Sequence, residues 1–292
     1  MIIGKILGGL GNQMFQYAAT RSLSIRKGVP FCLDVKQFSG YKLHQGFEIN
    51  TIFDCNSHLA NKDDISNVLG WQSRSIFRKL LSYPAMSGFR STSWIQEPYF
   101  KFWNGFFDLP SSCYLDGYWQ SEKYFESVQD LIRNDFCFRL PMNQQNALIA
   151  NKIENSRAIS LHVRRGDYIA NPNANEIHGV CSVEYYRMAM EQMAAQIESP
   201  RFFVFSDDME WVRQNLDIEY QHELVDHNKG SESYNDMRLM SMCQHHIVAN
   251  STFSWWGAWL NPRREKVVIA PKKWFARRDD ADDLIPSSWI TL

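Results

Sequence analysis

Net charge is nearly absent from this sequence: 31 lysines and arginines stand against 32 aspartates and glutamates in 292 residues. Such a balance excludes a chain-wide electrostatic footprint for nucleic acid or a membrane surface, so an anionic ligand must be met by locally clustered cations. The six cysteines, Cys32, Cys55, Cys113, Cys137, Cys181 and Cys243, form no CxxC pair and no CxxC…HxxxH spacing, which argues against a zinc site. No run of 18 apolar residues occurs, and the opening MIIGKILGGLGNQ is too short and too glycine-rich for a signal peptide. The expectation is a soluble cytoplasmic protein with reduced thiols. GxSxG, HExxH and a Walker lysine are also missing, and no DxD triplet stands at a strand end. Serine hydrolases, zinc proteases and P-loop NTPases are therefore poor fits.

What is present points to a globular α/β chain. Hydrophobic residues make up 45% and aromatics 14%, with ten tryptophans, a composition that disordered chains do not carry. Short apolar runs at Ile2–Leu7, Phe31–Val35, Tyr114–Tyr118, Ala158–Val163, Arg201–Phe205, Ile247–Ala249 and Lys266–Ile269 read as strands. Amphipathic stretches lie between them. Over Ser182–Ile197, for example, Tyr186, Met190, Met193 and Ile197 share a helical face behind a Ser182 cap. This rhythm predicts parallel sheets. The polar, proline-bearing LPMNQQN at Leu140–Asn146 marks an approximate boundary between two domains, 1–145 and 146–292. Ser82–Asn104 carries several aromatics and no clean period, so no element is assigned there.

Four stretches carry chemistry. GGLGNQMFQYA (Gly8–Ala18) is a glycine-rich strand-to-helix turn, but its spacing is neither GxGxxG nor GxxxxGK[ST]. Ligand approach through Gly11 and Asn12 competes there with a plain tight turn, and Asn12 and Gln13 with helix caps. SLHVRRGDYI (Ser160–Ile169) places His162, Arg164, Arg165 and Asp167 where a strand runs out, which is where open parallel sheets bind ligands and where arginine forks suit phosphate. VFSDDMEWV (Val204–Val212) ends another strand in Ser206, Asp207 and Asp208; Ser206 or Asp207 is read as the cap of the following helix, and an aspartate left over as a partner for ribose or base. A metal on those two acids is the weaker reading, since they supply only part of a shell. Finally, Asn250, Ser251, Thr252, Phe253 and Ser254 open a helix whose amides and hydroxyls suit phosphate. Trp255, Trp256 and Trp259 read as helix-packing core, and Met237, Met240 and Met242 likewise.

Together with LDGYWQSEKYF (Leu115–Phe125), these stretches resemble, in order and over nearly the whole chain, the bacterial and animal α-1,2-fucosyltransferases of the family-11 type. The resemblance implies a GT-B fold, with two Rossmann-like domains facing across a cleft, and inverting transfer of fucose from GDP-β-L-fucose to the 2-hydroxyl of a galactoside. No metal or other cofactor is implied. In this reading the N-terminal domain serves the acceptor and the C-terminal domain the donor. Arg164 stabilises the departing GDP, His162 and Arg165 support the same pocket, and Asn12 faces the donor. Asp236 binds guanine, Asp207 or Asp208 the ribose or base region, and Ser251, Thr252, Phe253 and Ser254, behind Asn250, the diphosphate and nucleotide. The acceptor would be a β-galactoside glycan such as a lipid-linked O-antigen unit, reached by peripheral membrane contact.

The general base is not identified. Asp167 stands close to Arg164, which lowers its pKa and makes it a poor base, and Glu176 and His178 in the following loop are weak candidates. Two other classes stay open at this level. A dinucleotide-dependent oxidoreductase would use Gly8–Gly11 and a ribose-binding acid such as Asp34, and a non-catalytic galactoside- or nucleotide-binding module would use the tryptophans as a sugar platform.

Overall fold

The computed structural model describes residues 1–40, 45–55, 57–166, 179–277 and 281–292. They form two compact units, Met1–Arg139 and Leu140–Leu292. The division falls at the first residue of the LPMNQQN segment rather than after it. The cause is local: Asn143 accepts from the Asn146 N–H at 2.9 Å to cap a helix, and Asn146 exchanges side-chain hydrogen bonds with Asn228. The segment is thereby tied to the second unit.

In the first unit, strands β1 (Ile2–Lys5), β2 (Phe31–Asp34), β3 (His58–Leu59), β4 (Trp94–Gln96) and β5 (Cys113–Asp116) make a sheet of order β3-β2-β1-β5-β4, every neighbour parallel. Helix α1 (Leu10–Lys27) crosses from β1 to β2, burying Met14, Phe15 and Leu23. Helices α2 (Ile49–Ile52), α3 (Lys62–Leu69), α4 (Ser75–Leu81) and α5 (Gln129–Asp135) follow in the connections. One core joins Ile3, Cys32, Ile65, Val68, Leu81, Trp94 and Tyr114.

In the second unit, β6 (Arg157–Val163), β7 (Pro200–Ser206), β8 (His222–Val225), β9 (His245–Ile247), β10 (Val268–Ala270) and β11 (Ile290–Thr291) pair in the order β11-β10-β9-β6-β7-β8, again parallel throughout. Among the described residues its helices are α6 (Gln144–Glu154), α7 (Val183–Gln196), α8 (Met209–Asn215), α9 (Tyr234–Met242) and α10 (Thr252–Leu260). Ser182 caps α7 as its sequence predicts, accepting from the Tyr185 N–H at 3.1 Å. From Ala158 onward every residue of β6 is buried, the pattern of a parallel strand covered on both faces. Ile159, Leu161 and Val163 meet Tyr186, Met190 and Met193 of α7 in one core. Among the described residues no helix is long and apolar enough to cross a membrane.

Candidate active site

Chain order sets where a ligand fits. From β6 the chain builds outward through β7 and β8, then returns to the other flank with β9, β10 and β11. The sheet's switch point therefore lies between β6 and β9, and a crevice opens there beyond the carboxyl ends of the strands. Register decides which residues reach it. Val163 pairs with Ser206 and Leu161 with Ile247, so continuing each ladder brings Arg164 level with Asp207 on one side and Asn250 on the other. Three of the four stretches singled out in the sequence thus end in one row.

Within that row Asp207 organises the turn. Its Oδ1 accepts the Arg165 N–H at 2.9 Å, its Oδ2 accepts the Gly166 N–H at 3.0 Å, and Arg164 Nη1 lies 3.1 Å from Oδ2. A Cβ on Gly166 would sit 3.1 Å from that same oxygen, a contact tight enough that the carboxylate would have to give by a few tenths of an ångström. Asp208 is also engaged: it caps α8 by accepting from the Trp211 N–H at 3.2 Å, and it pairs with Arg165 Nε at 3.6 Å. The Arg165 guanidinium carbon lies over the Trp211 ring, 3.8 Å from its centroid. The two acids expected at ribose or base therefore shape the arginine loop, and Arg165 is held in a structural stack and ion pair. Arg164 is the arginine brought to the crevice with its guanidinium partly exposed.

His162, one step back on β6, is buried and stands 5.9 Å, ring to ring, from Phe253. Burial, reinforced by the Arg164 charge, lowers its pKa to about 3, so it is neutral at physiological pH and its unpartnered Nδ1 offers a hydrogen bond rather than a charge. Opposite it, Ser251 caps α10 by accepting from the Phe253 N–H at 3.3 Å, and the first turn of α10 holds no acidic residue. Such a helix start favours an anion. Asn250 and Ser254 have other employment. Asn250 donates to the carbonyls of Gly179 and Trp274 at 3.2 and 3.3 Å, and Ser254 donates to Ala249 O and Ser251 O. They fix the turn that presents Thr252 and Phe253.

Asp236, in the first turn of α9, has its Oδ1 held by Asn228 Nδ2 at 2.8 Å. Burial pushes its pKa up to about 7, although one edge of the residue stays open to solvent. The Asn146–Asn228 pair behind it, with His227 Nε2 2.8 Å from Asn146 Oδ1, escaped sequence analysis because an asparagine pair at a separation of 82 residues leaves no local pattern. Lys272 and Lys273 also escaped it. They line a cavity of about 400 Å³ with Cys181, Tyr185, Asn250 and Phe275. A second cavity of about 360 Å³, bordered by Arg157, His245 and Arg263, lies at the amino ends of β6 and β9, the edge that parallel sheets do not use for ligands. Among the described residues no group of three His, Cys, Asp or Glu is placed to hold a metal ion. Asp167, Glu176 and His178 fall outside the described residues.

The glycine-rich stretch of the first unit occupies that sheet's own switch point, between β1 and β5. Gly8 has φ +82° and the Asn12 amide would lie 2.8 Å from a Cβ there. Asn12 accepts from Gln120 Nε2 at 2.8 Å, Gln13 donates to the carbonyls of Gly8 and Gly46, and Gln16 accepts from the Leu7 N–H at 2.9 Å. The motif's amides stitch their own turn. Asp34, which a dinucleotide enzyme would need at a ribose, is buried and accepts from Arg78 at 2.7 Å and from the Tyr114 hydroxyl at 2.9 Å. The sugar-platform reading fails too, since Trp255, Trp256 and Trp259 are buried.

Residues 78–292 match the family profile described as Glycosyl transferase family 11. The chain belongs to that family. Among relatives of this family-11 chain, an Escherichia coli alpha-1,2-colitosyltransferase is 32% identical over 299 residues, spanning 100% of the chain and 99% of the relative. The O-antigen biosynthesis glycosyltransferase WbnK of Escherichia coli is 34% identical over 311 residues, spanning 98% of each. Among solved structures, NodZ alpha-1,6-fucosyltransferase co-crystallised with GDP superposes with a TM-score of 0.56 at 16% identity, over 92% of the family-11 chain and 94% of NodZ. That likeness fixes the architecture as GT-B type, built from two Rossmann-like units.

Proposed function

We propose that the chain transfers L-fucose from GDP-β-L-fucose, with inversion, to the 2-hydroxyl of a terminal β-galactoside during assembly of an O-antigen or similar surface glycan. The observation that carries this reading is the row at the β6/β9 switch point, where Arg164 and the start of α10 converge in a family-11 chain. Negative charge grows on the diphosphate as the glycosidic C–O bond breaks. A guanidinium already fixed by Asp207 stabilises that charge more than it stabilises bound donor. The Thr252 amide at the start of α10 takes a phosphate oxygen, and Asp236 accepts from the guanine N1–H and exocyclic amine. The N-terminal unit is assigned to the acceptor, and neither a metal nor another cofactor is required, so transfer persists in EDTA.

The Asp236 assignment has a pH signature. Base recognition uses the ionised carboxylate, whose free-state pKa is about 7. GDP affinity therefore rises with pH up to about 7 and levels off above it, falling about tenfold per unit on the acid side. In the free protein the same raised pKa makes folding less favourable as pH climbs from the unfolded value toward 7. Calorimetric titration of GDP across this range should show proton release in the wild type, and weaker, pH-flat binding in Asp236→Asn.

A second donor is favoured by the full-length similarity to an alpha-1,2-colitosyltransferase. Colitose is fucose without its 3-hydroxyl, and a pocket built to hydrogen-bond that hydroxyl discriminates by about 10⁴ or more. Purified chain offered GDP-fucose or GDP-colitose with a panel of β-galactosides, products assigned by NMR, is expected to place fucose on O2 of galactose. Use of GDP-colitose alone would replace the donor in this account, and transfer from neither would remove the reading.

A further inference from the structure

The overall charge balance conceals one uneven segment. Between Asp64 and Glu97 there is no acidic residue, whereas Arg74, Arg78, Lys79 and Arg90 all fall there. The same segment is unusually apolar at its surface. Trp71, Ile76, Leu80, Tyr83 and Phe89 are 56%, 72%, 47%, 57% and 67% exposed, a third of the exposed large apolar side chains among the described residues. Isolated exposed apolar residues need no explanation, but a cluster does.

Helix geometry explains how the cluster arises. On α4, Phe77 and Leu81 pack into the core with Ile65, Val68 and Trp94. Ile76 and Leu80, four residues apart, lie on another face and point to solvent, and Tyr83, just past the end of the helix in extended backbone, is exposed as well. A helix that covers a core needs one apolar face, and α4 has two. Trp71 packs edge-on against Phe77 with ring centroids 5.0 Å apart, which holds it upright beside the exposed face. Arg78 is committed to Asp34, and Arg90 donates to Leu81 O at 2.7 Å. Arg74 and Lys79 are left exposed among the apolar side chains.

We propose that this surface, formed by α4 and the turns on either side of it, docks the protein onto an anionic phospholipid bilayer. Aromatic and aliphatic side chains enter the boundary between headgroups and acyl chains while neighbouring cations meet lipid phosphates. Charge separates this occupant from a second copy of the chain. Two-fold pairing of the face with itself sets Arg74 and Lys79 against their equivalents, and the segment 65–96 supplies no acid to answer them. An anionic membrane answers every cation at once.

The inference does not rest on which sugar the enzyme transfers, and a binding assay tests it separately. The full chain is expected to sediment with phosphatidylcholine vesicles containing phosphatidylglycerol, much less with phosphatidylcholine alone, and less as salt rises. Replacing Arg74 and Lys79 by Gln should weaken binding about fivefold per charge. Ile76→Ser, Leu80→Ser and Phe89→Ser together should weaken it about tenfold or more. Both variants should keep wild-type transfer to a soluble acceptor, and if the apolar variant misfolds, the charge variant decides. Absence of phosphatidylglycerol-dependent binding, or binding undiminished in the folded variants, would overturn the proposal. Self-association that the variants abolish, without vesicle binding, would assign the face to a second copy instead.

Discussion

Arg164→Ala is expected to lower kcat/KM for donor turnover by about 10³ while the protein stays folded, the loss typical of removing one preorganised charge-stabilising donor. Two features make the expectation specific. Arg164 stands at the carboxyl end of β6, beside the sheet's switch point, and its guanidinium is held by Asp207 at 3.1 Å. The pair is partly exposed, so its own contribution to stability is small, and melting temperature should barely move. Arg164→Lys keeps the charge but loses the planar fork, and should recover about tenfold of the loss. Near wild-type turnover in Arg164→Ala would remove the arginine from the mechanism.

The second large effect is expected at Asp207, a positioning residue rather than a group that touches substrate. Its two oxygens accept from the backbone N–H groups of Arg165 and Gly166 and meet Arg164. In Asp207→Asn the new amide N–H₂ must face one of these donors, which breaks one of these solvent-accessible hydrogen bonds and costs about 0.5–1.5 kcal/mol. Transfer should fall about 10²-fold, with KM for the donor rising and KM for the acceptor unchanged. A purely structural role would lower the melting temperature without that donor-specific change. Initial rates with each substrate varied in turn separate the two outcomes.

Legibility in the sequence followed burial. Each central strand was expected, because a parallel strand covered on both faces must be continuously apolar, as Ala158–Val163 and Phe202–Phe205 are. The strands missed, His58–Leu59, Trp94–Gln96, His222–Val225 and Ile290–Thr291, are the edges of the two sheets. An edge strand buries less and is often short, so HELV reads as an ordinary polar stretch. Trp94–Gln96 was hidden for another reason, lying in the aromatic segment whose exposed side chains serve a surface.

The site divides in a similar way. Strand-end arginines and the helix start after Ile247–Ala249 were visible because parallel sheets put ligands at carboxyl ends. The intramolecular work of the aspartates was not, because an acid after a strand can contact a ligand, cap a helix or brace a loop, and sequence alone does not say which of these contacts it makes. Asp207 braces and Asp208 caps. Local reading also underrated self-stitching in the glycine-rich turn, where Gln13 reaches Gly46 across 33 residues.

The most direct test is a crystal structure of this chain with GDP bound. The account predicts diphosphate oxygens within hydrogen-bond distance of Arg164 and the Thr252 amide, with guanine against Asp236. Diphosphate on the Gly8–Gly11 turn, or in the cavity bordered by Arg157 and His245 at the amino ends of β6 and β9, would contradict it.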